Sequence, residues 1–203
     1  MRPAARLKTV SDLLPKILGS ATAADRLVRN WGRKNRYAGA GDRRDIADQI
    51  FAILRHYSKL CALVDSNDPV LVTLAARIVL YDDALVDVCA LADGARHALD
   101  PPSPEMCARL ACVKERDADL EPHERVALPA WLYAEVMSGD LTDAPAVLEK
   151  SNTRAPVDLR VNTLRGSLAQ ARQKLADEGV RSRPLGKVPL ALRVEGTVQI
   201  TSG

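Results

Sequence analysis

The sequence predicts a mainly α protein: a helical bundle over residues 1–150, then a small partial α/β (β-α-β) subdomain over residues 151–203. Three observations predict it. Apolar residues recur at helical spacing up to about residue 150, the pattern switches to strand alternation after Ala155-Pro156, and charge segregates along the chain. Residues 1–60 carry 13 Lys/Arg against 5 Asp/Glu, residues 61–149 carry 6 against 17, and residues 150–203 carry 10 against 4. Two basic ends flanking an acidic middle suit a polyanion at the ends, or simply the patchy surface of a helical protein.

Leu7, Val10, Leu13, Leu14, Ile17 and Leu18 line one face of a first helix, which Pro15 kinks or restarts and Gly19-Ser20 closes. Thr22 can cap a second helix carrying Leu27, Val28 and Trp31, ending in Gly32-Arg33-Lys34-Asn35-Arg36; residues 37–41 read as a loop. Ile46, Ile50, Leu54, Tyr57, Cys61 and Val64, widened by Ile53 and Leu60, form the stripe of one long amphipathic helix opened by Asp42-Arg43-Arg44. Asp68-Pro69 is an N-cap followed by proline at the first helical position, and residues 70–80 are apolar almost all round, as a central bundle helix requires. Ser103-Pro104-Glu105 repeats that start after the Pro101-Pro102 loop, and shorter helices are expected over 84–91, 130–137 and 144–150.

Beyond Ala155-Pro156, residues 157–162 alternate apolar and polar, the pattern of a strand with one buried face and with Arg160 and Asn162 on its polar side. Ser167-Leu168-Ala169-Gln170 is a capping box for a helix stopped by Gly179, and residues 180–185 and 191–194 are further strands. Ile200-Thr201-Ser202-Gly203 carry no tail or capping signal.

Composition excludes several classes. With 47% hydrophobic and 27% charged residues the chain is globular, and its apolar runs fall short of the ~18–20 residues of a membrane span. The basic start has no apolar segment after it, so a cytoplasmic location without a membrane is expected. Cys61, Cys89, Cys107 and Cys112 form no C-x-x-C pair and His56, His97 and His123 lie far apart, so no metal is expected and the cysteines read as buried thiols. Dinucleotide, P-loop, zinc-protease and nucleophile-elbow motifs are all missing, and Asp82-Asp83 and Asp117/Asp119/Glu121 read as solvated helix ends. No catalytic residue and no cofactor site is expected within these residues.

The basic run is different. Arg26, Arg29, Arg33, Lys34, Arg36, Arg43 and Arg44 place seven cations within nineteen residues. Guanidinium forks bind phosphate oxygens bidentately and release counterions, and Trp31 and Tyr37 interleave with the run where they could stack on an unpaired base. The alternative is a solvated basic face with Trp31 in the core. The candidate RNA-binding residues are Arg29, Arg33, Lys34, Arg36, Arg43 and Arg44, with Arg160 and Asn162 of the strand.

The segment Ala155-Pro156-Val157-Asp158-Leu159-Arg160-Val161-Asn162-Thr163-Leu164 resembles the AP-x-x-LRVNTL signature of the RsmB/NOP-type ribosomal RNA (cytosine-5) methyltransferases, and Leu128-Pro129-Ala130-Trp131-Leu132 resembles their P-x-WL segment. Asp42-Arg43-Arg44-Asp45-Ile46 leading to Ile53-Leu54-Arg55 is similar to the NusB-like helical domain at the N-terminus of bacterial members. The resemblance implies an RNA-recognising region, with ribosomal RNA as partner, that precedes a methyltransferase core. In the family that core holds S-adenosylmethionine and two cysteines; all four cysteines here precede the LRVNTL strand, so neither role carries over. Rival expectations are a stand-alone NusB-like antitermination-type RNA-binding module and a helical protein-interaction domain using the acidic middle.

Overall fold

The computed structural model describes residues 1–196, and residues 200–203 read above lie outside them. The chain divides after Asn152 into two compact units.

The first unit, Met1–Asn152, is all helix. It comprises α1 (Pro3–Leu18), α2 (Ala24–Lys34), α3 (Ala40–Arg55), α4 (Tyr57–Val64), α5 (Pro69–Tyr81), α6 (Leu85–Leu91), α7 (Pro104–Ala111), α8 (Val113–Arg116), α9 (Pro122–Arg125), α10 (Ala130–Ser138) and α11 (Ala144–Ser151). Helix α5 is the centre, as its all-round apolarity predicts: Leu71, Val72, Leu74, Ala75, Ala76 and Ile78 are buried, and α1, α3, α4, α6, α7 and α8 pack on it. Leu7, Val10 and Leu14 of α1, Ile46, Ile50 and Ile53 of α3, and Leu60, Leu63 and Val64 of α4 fill the same core. Each such side chain contributes about 1.5–3 kcal/mol by leaving water. The caps are as read: Asp68 Oδ1 accepts from the Leu71 amide at 2.8 Å, and Ser103 Oγ from that of Met106 at 3.2 Å.

Several local readings change. The long helix expected from Ile46 to Val64 is broken at His56, whose amide is shared between the carbonyls of Ala52 and Ile53. The stripe continues across the break because both pieces face one core. Helix α3 also starts earlier than expected, at Ala40, with Asp42 in its first turn accepting from the Gly39 amide at 3.1 Å. Thr22 caps nothing; Ala23 occupies the N-cap of α2, and the Thr22 amide donates to Ser20 Oγ. Pro15 sits inside an uninterrupted α1 that Gly19 closes.

The second unit holds β1 (Asp158–Arg160), α12 (Leu168–Asp177), β2 (Ser182–Pro184) and β3 (Ala191–Val194), in an antiparallel sheet of order β1-β3-β2. Leu159 pairs with Leu192, and α12 packs on β2 and β3. The capping box is closed in both directions: Ser167 Oγ accepts from the Gln170 amide at 3.2 Å, and Gln170 Oε1 from that of Ser167 at 2.8 Å. Gly179, at φ 76°, ends α12 with its amide on Ala176 and the Val180 amide on Leu175, a paired-carbonyl stop that favours glycine. The expected strand to Asn162 stops at Arg160; Asn162 forms a turn instead, its Oδ1 accepting from the Leu164 amide at 3.0 Å.

Candidate nucleic-acid interface

Helix α2 and the start of α3 carry the basic run, joined by a short loop. That loop is pinned at two points: Asn35 Nδ2 donates to the Trp31 carbonyl at 2.8 Å, and Ala38 is buried to 1% exposure. Between them Tyr37 is driven outward, 68% exposed. Trp31, by contrast, packs against the hydrophobic core. The two aromatics of the basic run therefore separate into one packing group and one surface ring.

Arg33, Arg36 and Arg43 line one open cleft of about 590 Å³ whose floor is Gly32. A Cβ on Gly32 would stand 3.3 Å from Arg43 Cδ, so the absent side chain lets the Arg43 stem cross α2. Arg43 is half-buried, and its Nε is out of solvent without a hydrogen-bond acceptor. Arg33, Lys34, Arg36 and Arg44 are exposed. Arg29 differs, because Asp25 one turn earlier holds its guanidinium. Asp42 stabilises the start of α3, taking the Met1 ammonium at 2.9 Å and Arg6 at 3.2 Å as well as Gly39. The ammonium first, then the Gly39 amide and Arg6, hold its carboxyl below the usual value against the opposing effect of burial.

A second cleft of about 500 Å³ lies on the same unit, lined by Met1, Arg2, Lys8, Tyr37, Arg96 and His97 among others. Its cations were not singled out in the sequence, because they come from chain positions far apart and share no periodicity.

Arg160 and Asn162 lie in the other unit. Both are exposed and line a cleft of about 300 Å³ between α12 and the sheet, together with Arg165 and Lys174. On the sheet, Asp158 faces its cross-strand partner Arg193 in a two-pronged ion pair of 2.7 and 2.8 Å, which lowers the pKa of the carboxyl and raises that of the guanidinium.

The cysteines are not all buried as expected: Cys112 is exposed and the other three are half-buried. Burial pushes the Cys61 and Cys89 thiols up, Cys89 further through the neighbouring Cys107 thiol, the opposite of activation. The acidic clusters also have partners that sequence spacing hid, since Lys59 reaches Asp117 at 2.6 Å, Lys114 reaches Asp82 at 2.5 Å and Arg77 reaches Asp83 at 2.5 Å. Among the described residues, no helix is long and apolar enough to cross a membrane.

Comparison with known proteins bears on the second half most strongly. Residues 128–201 match the family model of the RsmF/B-like methyltransferase ferredoxin-like domain. No curated protein matches. Among solved structures, one titled "Crystal Structure of PH0851" is similar in fold at 16% identity and a TM-score of 0.51, over 98% of this chain and 50% of that one. The chain thus spans about half the length of that solved protein. The AP-x-x-LRVNTL segment falls inside the matched residues, so residues 128–201 are similar to the ferredoxin-like domain of the RsmF/B-like methyltransferases.

Proposed function

We propose that these residues form the RNA-recognising region of an S-adenosylmethionine-dependent ribosomal RNA (cytosine-5) methyltransferase, the helical unit serving as a NusB-like RNA-binding domain in the cytoplasm. The observation that carries the reading is the cleft of Gly32, Arg33, Arg36 and Arg43, where three arginines share one opening without a carboxylate among the lining residues. Phosphate oxygens supply the acceptors such a cluster lacks. Arg44 and Lys34 extend the field, Arg29 contributes less because of Asp25, and Arg160 and Asn162 offer a separate contact on the second unit.

The cofactor does not fit the described residues. S-adenosylmethionine is cationic at sulfur, whereas Arg33, Arg36 and Arg43 line one cleft, and in another Arg160, Arg165 and Lys174 outnumber the single carboxylate of Glu178. The turn from β1 into α12 is no glycine-rich loop; the Ser167–Gln170 box takes up the helix N-terminus where a cofactor's polar groups would bind. An electrophoretic mobility shift with a ribosomal RNA fragment tests the reading: a retarded complex supports it, and free RNA at high protein concentration overturns it.

A further inference from the structure

We propose that the cleft of Tyr37, Arg96 and His97 is a subsite for one unpaired nucleotide of RNA, its base stacked on the Tyr37 ring and its phosphate held by Arg96. This rests on the RNA reading above and names what that reading leaves open, namely a single-stranded element beside the phosphate-binding cleft.

Both walls of the subsite are fixed before any ligand arrives. On one side, the buried Ala38 and the Asn35–Trp31 bond leave the Tyr37 ring no route into the core. An exposed aromatic ring is stable in water but has a large face to offer, and stacking a base there contributes about 1–3 kcal/mol. On the other side, the segment from Asp93 to Leu99 is a tight loop closed by the Gly94 amide on the Leu99 carbonyl at 2.9 Å and the Ala98 amide on the Ala95 carbonyl at 2.8 Å. Ala98 and Leu99 anchor it in the interior, while Arg96 and His97 stand exposed at its tip. His97 is held at φ 69° and Gly94 at φ 70°, where a Cβ on Gly94 would meet Pro101 Cδ at 3.2 Å. Non-glycine residues seldom adopt the His97 conformation, and such strain persists only where the surroundings enforce it.

The charges in the cleft are graded. Lys8 gives its ammonium to both oxygens of Asp12 at 2.9 Å, and Arg2 lies 3.7 Å from Asp93. Arg96 has no ion pair among the described residues, so it is the guanidinium ready for a phosphate. The volume, about 500 Å³, falls within the ~300–1,000 Å³ of clefts that hold small ligands. The chain itself links the subsite to the phosphate cleft, since Arg36 lines one and Tyr37, the next residue, lines the other. A strand running past this loop places successive nucleotides on either side of it.

The test is fluorescence anisotropy of the full chain with labelled single-stranded RNA of about ten nucleotides, the same RNA with abasic residues, and its duplex. The single strand should bind more tightly than either control. Tyr37→Leu should weaken single-strand binding by about 5- to 100-fold with no effect on the duplex, Tyr37→Phe should retain it, and Arg96→Ala should weaken it with a flatter salt dependence. Tyr37 is exposed, so circular dichroism should be the same for all variants. If Tyr37→Leu and the abasic strand bind like the originals while Arg33→Ala/Arg36→Ala weakens binding, the subsite is overturned and the phosphate cleft stands. If the unmodified chain binds none of the three RNAs, both fall.

Discussion

Arg43 lays its side-chain stem across Gly32, close enough that a β-carbon on Gly32 would come within 3.3 Å of Arg43 Cδ. Alanine is the better helix former by roughly 0.5–1 kcal/mol, so Gly32→Ala carries a gain in propensity against a displaced Arg43. The variant should keep its folding free energy within about 1 kcal/mol of the original in chemical denaturation, yet bind RNA several-fold more weakly. Equal affinity would show that the position of Arg43 does not matter.

Capping gives a sharper stability test. Asp68 satisfies the Leu71 amide at the start of the central helix, so Asp68→Ala should cost about 1–2 kcal/mol in chemical denaturation of the helical unit. Ser167→Ala should cost about 1 kcal/mol in the second unit, read by faster hydrogen exchange across α12 with exchange across α5 unchanged.

The break between α3 and α4 makes stability depend on pH. Burial first, then Arg55 and Lys59, lower the pKa of His56, while a hydrogen bond to the Asn152 backbone opposes them. The unfolded chain therefore takes up this proton more readily than the folded one, and the associated stability is lost as pH falls from the unfolded value of about 6.5 through the folded one. Thermal midpoints should drop over that window, and His56→Gln should flatten the drop. The Asp42 carboxyl, held below 3.8, acts only at more acid pH, so the two effects separate. A pH-independent midpoint between 7 and 5, or one unchanged by the substitution, would contradict this.

The cofactor proposal has its own test. Calorimetric titration of the chain with S-adenosylmethionine should give no binding heat, and a micromolar Kd would contradict the mismatch between the cofactor and these clefts.

The parts of the fold that are legible in the sequence are those set by local chemistry. Asp68-Pro69, Ser103-Pro104 and the Ser167–Gln170 box each fix a helix start through a bond spanning three residues. The break at His56 is not legible, because the apolar stripe from Ile46 to Val64 serves both pieces equally well. Helix α9 escapes for a different reason: it is four residues long, too short to carry an apolar stripe, and glutamate is not among the favoured N-cap residues. At the interface, the run from Arg33 to Arg44 is visible as a run, but Gly32 as the floor under Arg43 is a tertiary fact. The cleft joining Tyr37 to Arg96 and His97 brings together residues nearly sixty positions apart, which no pattern in one sequence announces.

The central claim is that phosphates bind the cleft of α2 and α3, and the salt dependence of RNA affinity tests it most directly. Contacts with about five phosphates give a log–log slope of roughly −3 to −5, at about 0.7–0.9 counterions each. Replacing Arg33, Arg36 and Arg43 with Ala should flatten that slope by about two units. A slope near zero in the unmodified chain, or one that the triple replacement leaves unchanged, would contradict the account.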